Sequence, residues 1–293
     1  MTVGRKGERM SIALAEKFAP YTDELFKAES KLPLLTNQDF DWTGAHTVKI
    51  YKISTMPLND YARNRFTADP ESPESISRYG ALLDLNAATE EMILTQDKSF
   101  IFNVDKMDQD ETAQQLEAGK ALARELREVV IPTVDTFVYD KIVDGAGTTA
   151  EAAALDKNTV YPAILAGSEV LDNNEVPDTD RVLIVTPAVY SLLKQAAQFD
   201  NNDVGAELRM QGVVGFLDGM SVVRVPAARL PEDIGFVIVH PSATVCAYKL
   251  EDYNVHQNTP LSSGDIVTGR IVYDAFVLEN KACGIYVQPL ASE

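Results

Sequence analysis

The amino-acid sequence predicts a mixed α+β fold, and three patterns along the chain support this class. The stretch at 46–53 nearly alternates β-branched and polar residues, which is typical of a half-buried strand. A stripe of apolar residues at helical spacing runs from Leu116 to Ile142 and predicts one long helix. Between 150 and 240, helix patterns alternate with short apolar runs that indicate buried strands. With 293 residues, the chain is long enough for about two domains.

Residues 1–45 show little strand pattern and no long helix pattern. A short amphipathic turn between Lys17 and Lys27 precedes an irregular stretch that contains Pro33 and Asn37. A segment of this kind cannot build a hydrophobic core of its own. We therefore predict that this segment is not a self-contained unit but an N-terminal arm that packs on a surface outside itself.

Residues 46–104 are predicted to form a long two-stranded excursion. Its first strand is TVKIYKIS, and two further apolar stretches, EEMILTQ and SFIFNVD, flank Asp97 and Lys98, where we predict a tight hairpin. The region from Arg63 to Tyr79 is polar and contains two prolines. Because an isolated hairpin is marginally stable in water, we expect this one to rest on a neighbouring surface, such as another subunit.

Residues 105–150 contain the strongest helix pattern. Asp108 and Glu111 have the spacing of a capping box, which places the helix start there. Pro132 is expected to kink or restart the helix, and Gly145 is expected to end it. A helix of roughly 35 residues is long for a globular protein, so we predict that it serves as a structural spine.

Residues 151–240 are predicted to form a compact α/β unit. The predicted helices are Tyr161–Leu171 and Pro187–Ala197, and the predicted strands are Arg181–Val185, Ser221–Val225 and Gly235–Val239. Residues 241–293 alternate between strand and turn patterns. That tail is too short to form a core alone, so we expect it to combine with 105–150 in one discontinuous domain.

The charge of the chain argues against binding to nucleic acid. Lys and Arg number 26 and Asp and Glu number 44, so the formal net charge is −18. A protein that grips duplex DNA needs cations to displace the condensed counterions, and this chain would on average repel the phosphates. No apolar run approaches the roughly 20 residues that span a bilayer. The N-terminus does not resemble a signal peptide, so we expect synthesis in the cytoplasm and no membrane partner.

The residues that usually carry catalysis form no recognisable pattern. The three histidines, at 46, 240 and 256, include no HExxH pair, and Cys246 and Cys283 lack metal-ligand spacing. We interpret both cysteines as small, reduced core residues. His240 and Ser242 leave a Ser/His/Asp site open, but no GxSxG elbow accompanies them, and a turn histidine is the favoured interpretation.

Acidic and glycine-rich stretches also have simple structural interpretations. The sequence leaves open a metal site formed by four acidic residues. We interpret these acids instead as residues at the start of a helix: Asp105, Asp108, Asp110 and Glu111. Two groups of glycines lack the order of a phosphate-binding loop and are interpreted as tight turns or close backbone approaches: Gly145 and Gly147, then Gly212, Gly215 and Gly219. We therefore predict no catalytic, cofactor-binding or metal-binding residues and no cofactor.

The order of these parts resembles the major capsid protein of tailed bacteriophages, which has the Hong Kong 97-type capsid fold. Four stretches carry the resemblance in wording as well as in order: FDWTGAHTVKIYKISTMPLNDYAR, EEMILTQDKSFIFNVDKMDQDET, GVVGFLDGMSVVRVP and GDIVTGRIVYDAFVLENKACGIYV. Each stretch alone is a weak signal, whereas their ordered combination is fairly specific. The resemblance covers nearly the whole chain.

The resemblance implies a domain plan and a function. The plan is an N-terminal arm (1–45), an extended loop that is a long β-hairpin (46–104), a discontinuous peripheral domain with the spine helix (105–150 and 241–293) and an α/β axial domain (151–240). The implied function is self-assembly into pentamers and hexamers that form an icosahedral shell around a double-stranded DNA genome. Such a protein is not an enzyme, does not bind DNA sequence-specifically, and belongs to the virion capsid after assembly in the host cytoplasm.

The resemblance also implies partners and subunit contacts. A portal protein and a decoration protein are expected to associate with such shells. Because the chain starts at Met1 and has only the arm before its first strand, we expect a separate scaffolding protein. The loop tip contains Arg63, Arg65 and Arg78 but no lysine, so we expect these arginines to contact acidic patches on an adjacent subunit and expect no covalent linkage there.

Three rival functions remain open from sequence. An encapsulin-type nanocompartment shell protein would have the same fold. An enzyme of the α/β type centred on residues 150–240 would need a pocket with converging polar groups. A tail-tube protein or another virion component would be rich in β-structure and would not need the long helix.

Overall fold

The computed structural model describes residues 29–37, 47–53, 55–56, 58, 60–61, 79, 87–107, 118–196, 213–257 and 263–291. These residues form two compact units. The first unit contains the described residues of 29–30, 99–134 and 252–270. The second unit contains those of 31–98, 135–251 and 271–291.

The described residues form helices and strands throughout both units. The strands are β1 (Thr47–Ile53), β2 (Ala87–Ile93), β3 (Gln96–Asp105), β4 (Thr148–Thr149), β5 (Val182–Val185), β6 (Val213–Leu217), β7 (Met220–Arg224), β8 (Ile234–Val239), β9 (Thr244–His256), β10 (Gly264–Val277) and β11 (Ile285–Pro289). The α-helices are α1 (Ala118–Glu125), α2 (Ile131–Asp144), α3 (Val160–Asn173) and α4 (Pro187–Gln195). A π-helical turn covers Leu126–Val130, and 3₁₀ turns cover Leu32–Leu34, Ala227–Arg229, Pro241–Ala243 and Glu279–Gly284.

The strands belong to three sheets. The first pairs β1 with β2, the second has the order β3-β10-β9, and the third has the order β4-β11-β8-β5-β7-β6. The predicted mixed α+β class is therefore confirmed. The strand-and-turn pattern predicted for 241–293 is also confirmed, because β9, β10 and β11 follow one another there.

The long helix is continuous over the described range 118–144, where α1, the π-helical turn and α2 follow without a break. Pro132 is the second residue of α2, directly after the π-helical turn. Proline has no N–H and crowds the carbonyl one turn earlier, and the rare π-helix occurs mostly as single turns inside α-helices. Just before Pro132 the helix therefore contains a π turn and does not stop and restart. The helix ends at Asp144, before Gly145, as predicted, whereas the start predicted at Asp108 lies outside the described residues.

In the first unit, apolar side chains of β3 and β10 pack against α1. Val104, Ala118 and Val267 are buried, and Phe100, Phe102 and Leu122 pack partly buried around them. Gly269 lies in β10 under the Phe100 ring, so a Cβ at this position would overlap that ring. The Phe100 ring in turn stacks on Tyr253 of β9, with 6.2 Å between the ring centroids. A glycine in this central strand therefore gives room for an aromatic pair to meet across it.

In the second unit, the core lies around the six-stranded sheet. β5 is parallel to β7 and antiparallel to β8, while β11 is antiparallel to β8 and parallel to β4. All residues of β5 and β8 are buried, which is typical of strands covered on both faces. The two covering helices contribute an apolar set consisting of Val160, Ile164, Leu171, Val189, Tyr190 and Leu193. The helices predicted near Tyr161 and Pro187 and the three buried strands of 151–240 are confirmed within one or two residues.

The strand β6 was not predicted from the sequence. It pairs antiparallel with β7 through a turn at Asp218 and Gly219, whose φ angles are 50° and 75°. Positive φ at both central residues is characteristic of the type I′ hairpin turn, for which Asp-Gly is a favoured sequence. The turn interpretation of Gly219 is confirmed. Gly215 lies inside β6 next to a register shift, and Gly212 lies outside the described residues.

The strands β1 and β2 pair antiparallel, from Thr47 opposite Ile93 to Ile53 opposite Ala87. The hairpin predicted at Asp97 and Lys98 is wrong, because both residues lie inside β3. The chain bends earlier, between β2 and β3, and the two strands pair with β1 and β10 instead of with each other. Asp-Lys lacks a residue that readily takes the positive φ of a two-residue hairpin turn.

Residues 31–37, from the range of the predicted arm, pack within the second unit. Leu32 and Leu35 are buried, and the Asn37 N–H donates to the Thr244 carbonyl at 2.8 Å. The Thr244 hydroxyl donates to the Leu35 carbonyl. This part of the predicted arm therefore packs on the start of β9. The remainder of 1–45 lies outside the described residues.

Candidate functional site

A surface pocket of about 310 Å³ contains His240, the histidine considered above as part of a Ser/His/Asp catalytic site. Its lining includes His240, Ser242, Asn280, Lys281 and Cys283. The structure brings together Ser242 and His240, at which the sequence left a Ser/His/Asp site open, because the Ser242 Oγ lies 2.8 Å from the His240 Nδ1. The Ser242 backbone N–H also donates to this Nδ1, at 3.3 Å. Because an N–H can only donate, Nδ1 is an acceptor and the neutral ring carries its proton on Nε2.

This arrangement is a local cap of the turn at Pro241–Ala243. The ring of His240 satisfies a backbone donor of that 3₁₀ turn, as side chains commonly do at the start of helical turns. The ring also has a backbone hydrogen bond with Thr179. Both ring nitrogens therefore have structural partners, which matches the interpretation of His240 as a turn histidine.

Burial is the main cause that lowers the pKa of His240 below its ordinary value. Asp180 and the Thr179 hydrogen bond raise this pKa, whereas Arg181 and Lys281 lower it further. Since the lowering effects prevail, the folded state favours the neutral ring. The cap at the 3₁₀ turn requires that neutral form, because a protonated Nδ1 cannot accept a hydrogen bond.

Acidification is expected to weaken the fold through His240. Its folded pKa lies below the value of about 6.5 of an unfolded histidine, so its stabilising contribution is present above about pH 6.5 and lost as the pH falls through the folded pKa. In His240→Asn, the free energy of unfolding should therefore fall less steeply between about pH 7 and pH 5 than in the wild type. Urea unfolding of the full-length chain across this range measures the slope. His256→Asn is the control, because His256 is exposed; an unchanged slope in His240→Asn would contradict the prediction.

A buried arginine holds the loop that borders this pocket. Arg181 is 3% exposed and donates to the carbonyls of Val176, at 2.5 Å, and Pro177, at 2.7 Å. Its Nη2 lies 2.7 Å from an Asp172 carboxylate oxygen. These contacts explain why a charged residue directly precedes β5 inside the core. Their role is to shape the loop at 176–177.

The acids and glycines considered as binding motifs have structural roles where the structure describes them. The Asp105 carboxylate accepts the Met107 N–H at 2.8 Å, as expected near a helix start. A Cβ at Gly147 would lie 2.5 Å from the Ala282 carbonyl oxygen, so this glycine marks a close backbone approach, as predicted. The other three acids of the group, at 108, 110 and 111, lie outside the described residues. Within the described ranges, no group of three or more His, Cys, Asp and Glu side chains has metal-binding geometry.

The two cysteines are free thiols in half-buried positions. Burial raises the pKa of Cys246 to about 11, so its reactive thiolate form is rare at neutral pH. This agrees with the interpretation of Cys246 as an inert structural residue. Among the helices of the described part of the chain, none combines the length and apolar character that crossing a membrane needs.

Among the described residues, a group of exposed apolar side chains lies in the region 46–104, beyond the paired strands β1 and β2. Leu58 is fully exposed, and Met56, Tyr61 and Tyr79 are also exposed. The rings of Tyr61 and Tyr79 meet edge to face, with 5.1 Å between their centroids. In sequence, these two residues each lie eight positions beyond the last paired residues, Ile53 and Ala87. We call this group the aromatic patch; exposed apolar groups of this kind often mark interaction surfaces.

The residues predicted to contact a neighbouring subunit lie between the two tyrosines of the patch in sequence. Arg63, Arg65 and Arg78 are outside the described residues, so their contacts stay a prediction. The sequence analysis did not single out Tyr61 and Tyr79. They flank the polar region of the excursion, and their equal distance from the strands β1 and β2 is the signal that could have identified them.

The comparison with protein families found one match. The model of a family described as phage capsid protein matches residues 88–287, which is about two thirds of the chain. A comparison with curated protein sequences found no match.

Solved structures from several phages are similar to this chain over almost its full length. A structure from Mycobacterium phage Che8 has a TM-score of 0.72 at 20% identity and covers 96% of this chain and 98% of its own. The capsid structure of cyanophage P-SCSP1u has a TM-score of 0.71 at 13% identity, covering 96% and 94%. The mature capsid of bacteriophage PhiM1 has a TM-score of 0.68 at 15% identity, covering 96% and 93%. At these identities the comparison shows a shared fold.

Proposed function

This chain belongs to the phage capsid protein family and is a major capsid protein that forms the shell, and on that premise we propose how the shell is built. Copies of the chain associate into pentamers and hexamers, which close an icosahedral shell around a double-stranded DNA genome. The match of the capsid family model to residues 88–287 is the observation that carries the proposal. An encapsulin-type shell is not favoured, because the matched family and the similar structures come from phages.

The family is one of structural proteins, and its place is the virion capsid. We further propose that this chain has no catalytic activity and that its shell assembles in the host cytoplasm. The local role of His240 as a turn cap supports the first point, because the residue pair that most resembled a catalytic site has a structural function.

For the domain plan, we propose an arm at 1–45, an extended loop at 46–104, a peripheral domain formed by 105–150 and 241–293, and an axial domain at 151–240. The pairing of β1 with β2 supports the extended loop. The covering of β5 and β8 by α3 and α4 supports a compact axial domain. The six-stranded sheet also includes β4 and β11, so the peripheral and axial parts share one sheet.

The proposed subunit contact uses the far end of the extended loop. The aromatic patch supplies an apolar surface, and Arg63, Arg65 and Arg78 supply positive charge between Tyr61 and Tyr79. A neighbouring copy carries the same net charge of −18, so its acidic surface is a suitable partner for these arginines. Many contacts of modest strength then add up through multivalency to a stable shell.

The remaining partners are proposed from family resemblance and charge. A separate scaffolding protein guides assembly, a portal protein occupies one vertex, and a decoration protein binds outside. The strong negative charge supports enclosure of DNA without tight or sequence-specific contacts, because phosphate binding requires a positive surface.

Electron microscopy of the full chain, expressed alone and together with its upstream gene, tests the proposal. We expect closed shells, or pentamers and hexamers that close when the second protein is present. In the triple variant Arg63→Glu, Arg65→Glu and Arg78→Glu, we expect soluble subunits or capsomers but a loss of closed shells, since a reversed charge would repel the acidic neighbour.

A second triple variant controls for net charge. Lys98→Glu, Lys157→Glu and Lys249→Glu change three exposed residues, and each triple lowers the net charge by six units, from −18 to −24. The control variant should still form shells. Intact shells in the arginine variant would refute the arginine contact alone. A wild-type chain that stays a monomer or a small oligomer under every salt condition would refute the shell proposal itself.

A further inference from the structure

The β1–β2 hairpin is joined to the rest of the second unit by a bend of two residues, Leu94 and Thr95, between β2 and β3. One face of the hairpin packs on that unit through Val48, Ile50 and Met92. Those side chains contact an apolar surface formed by Val245, Ala247, Val272, Phe276 and Leu278. Apolar packing stabilises the attachment, but it has no preferred direction.

A buried carboxylate contacts the bend. Asp274 in β10 is 2% exposed, and its Oδ2 accepts the Thr95 N–H at 2.8 Å and the Thr95 hydroxyl at 2.7 Å. Its Oδ1 accepts the Ala275 N–H at 2.8 Å. Three donors compensate for the cost of burying the charged group. Hydrogen bonds weaken steeply with misalignment, so these contacts constrain the direction of the chain at Thr95.

A second polar contact lies further along the hairpin. The Lys52 Nζ is 3.0 Å from a Glu90 carboxylate oxygen and also pairs with Glu279, the first residue of the 3₁₀ turn that follows β10. The hydrogen bonds to Glu279 and Glu90 raise the pKa of Lys52, so the ammonium form is favoured. Lys52 thus connects both strands of the hairpin to the same part of the second unit that contains Asp274.

We propose that Asp274 is a positioning residue that sets the direction in which the β1–β2 hairpin leaves the second unit. It acts through Thr95, with Lys52 as a second polar anchor, while the apolar face keeps the hairpin attached. Loss of the Asp274–Thr95 contact leaves the hairpin packed but allows it to swing about the bend. The role concerns the chain's own geometry and holds whether or not the chain forms a shell.

Two variants weaken the contact with little change in volume. Thr95→Val removes the hydroxyl donor at an exposed position, and Asp274→Asn removes the charge of the acceptor. Thr89→Val is the matched control, because Thr89 is an exposed threonine in the same hairpin, outside the bend. Amide hydrogen exchange of the full chain is measured for β1, β2 and the bend, with β5 and β8 as internal references.

We expect exchange at the bend and in β1 and β2 to accelerate by about tenfold in Thr95→Val and Asp274→Asn, in line with the loss of one hydrogen bond to a charged group. The exchange of β5 and β8 should stay at the wild-type rate, and Thr89→Val should behave as the wild type. If Asp274→Asn does not fold, Thr95→Val decides the outcome.

A distance measurement separates positioning from simple stabilisation. Spin labels at Lys49→Cys, on the exposed face of the hairpin, and Glu169→Cys, on α3, report the direction of the hairpin when Cys246 and Cys283 are replaced by alanine. We expect a broader distance distribution in Thr95→Val than in Thr89→Val. A distribution of wild-type width together with unchanged exchange at the bend would overturn the proposal.

Discussion

Arg229→Met is expected to lower the free energy of unfolding by about 3–5 kcal/mol, because it leaves a buried carboxylate without its guanidinium. Asp135 in α2 is 1% exposed and Arg229 is 6% exposed. The Arg229 Nη1 lies 2.6 Å from the Asp135 Oδ2. The pair connects α2 to the 3₁₀ turn that follows β7, across 94 positions of sequence. Urea unfolding of the full-length chain, followed by circular dichroism, measures the loss.

A double variant separates the cost of an unpaired charge from the value of the pair. In Asp135→Leu/Arg229→Met both charges are gone, and buried ion pairs can often be replaced by apolar residues at little cost. We therefore expect the double variant to be more stable than Arg229→Met. The control is Arg127→Met, an exposed arginine in the same continuous helix, which should change stability by no more than about 0.5 kcal/mol. A double variant less stable than the single one would contradict this explanation.

Leu35→Ala is expected to lower the free energy of unfolding by about 2–5 kcal/mol, the range for truncating a buried leucine. Leu35 is 0% exposed. Its carbonyl accepts the Thr244 hydroxyl, and the Asn37 N–H two residues later bonds the Thr244 carbonyl. A cavity under this segment removes apolar contacts and loosens both hydrogen bonds. Thermal and urea unfolding measure the loss.

The neighbouring leucine provides the matched control. Leu34 is half-buried, so Leu34→Ala removes the same atoms from a more solvent-accessible position and should cost clearly less. Equal stability losses in the two variants would contradict the prediction, because they would show that the full burial of Leu35 adds nothing to its contribution. A loss confined to Leu35→Ala would show that the fold of the chain begins within the sequence range that we had predicted to be an arm.

Local sequence patterns predicted the elements whose residues interact mainly with near neighbours. The helix through Leu122 and Val138 has an apolar stripe of period 3.6, and β5 and β8 are uninterrupted apolar runs, so their type follows from periodicity. The hairpin at Asp97 and Lys98 was predicted wrongly. Its two strands find partners that are far away in sequence, and a local pattern contains no information about such partners. The turn at Gly219 was predicted, whereas the strand β6 that enters this turn was not, although Asp-Gly is a favoured sequence of a hairpin turn.

The contacts at the candidate site and at the bend were likewise predictable only in part from the sequence. The sequence suggested that His240 and Ser242 were neighbours in a turn, and their contact and the local cap are observed. The burial of the ring and its hydrogen bond with the Thr179 backbone, in contrast, depend on tertiary structure. The Asp274 contact with Thr95 joins residues 179 positions apart. No spacing rule predicts it, because the distance between β2 and β10 depends on how the sheets pack.

The α+β class, the long helix and the acidic character could be predicted from the amino-acid sequence, and the ordered resemblance of four stretches indicated the phage capsid family. The class, the helix and the charge follow from composition and from the periodic placement of apolar side chains, which are local quantities, whereas the family was inferred from the resemblance alone. Tertiary structure alone decided the strand order of the three sheets, the burial of Asp135 with Arg229 and the anchoring of the hairpin at Asp274. Those features depend on contacts between residues distant in sequence, and such contacts form only when the whole chain packs its apolar surfaces at once.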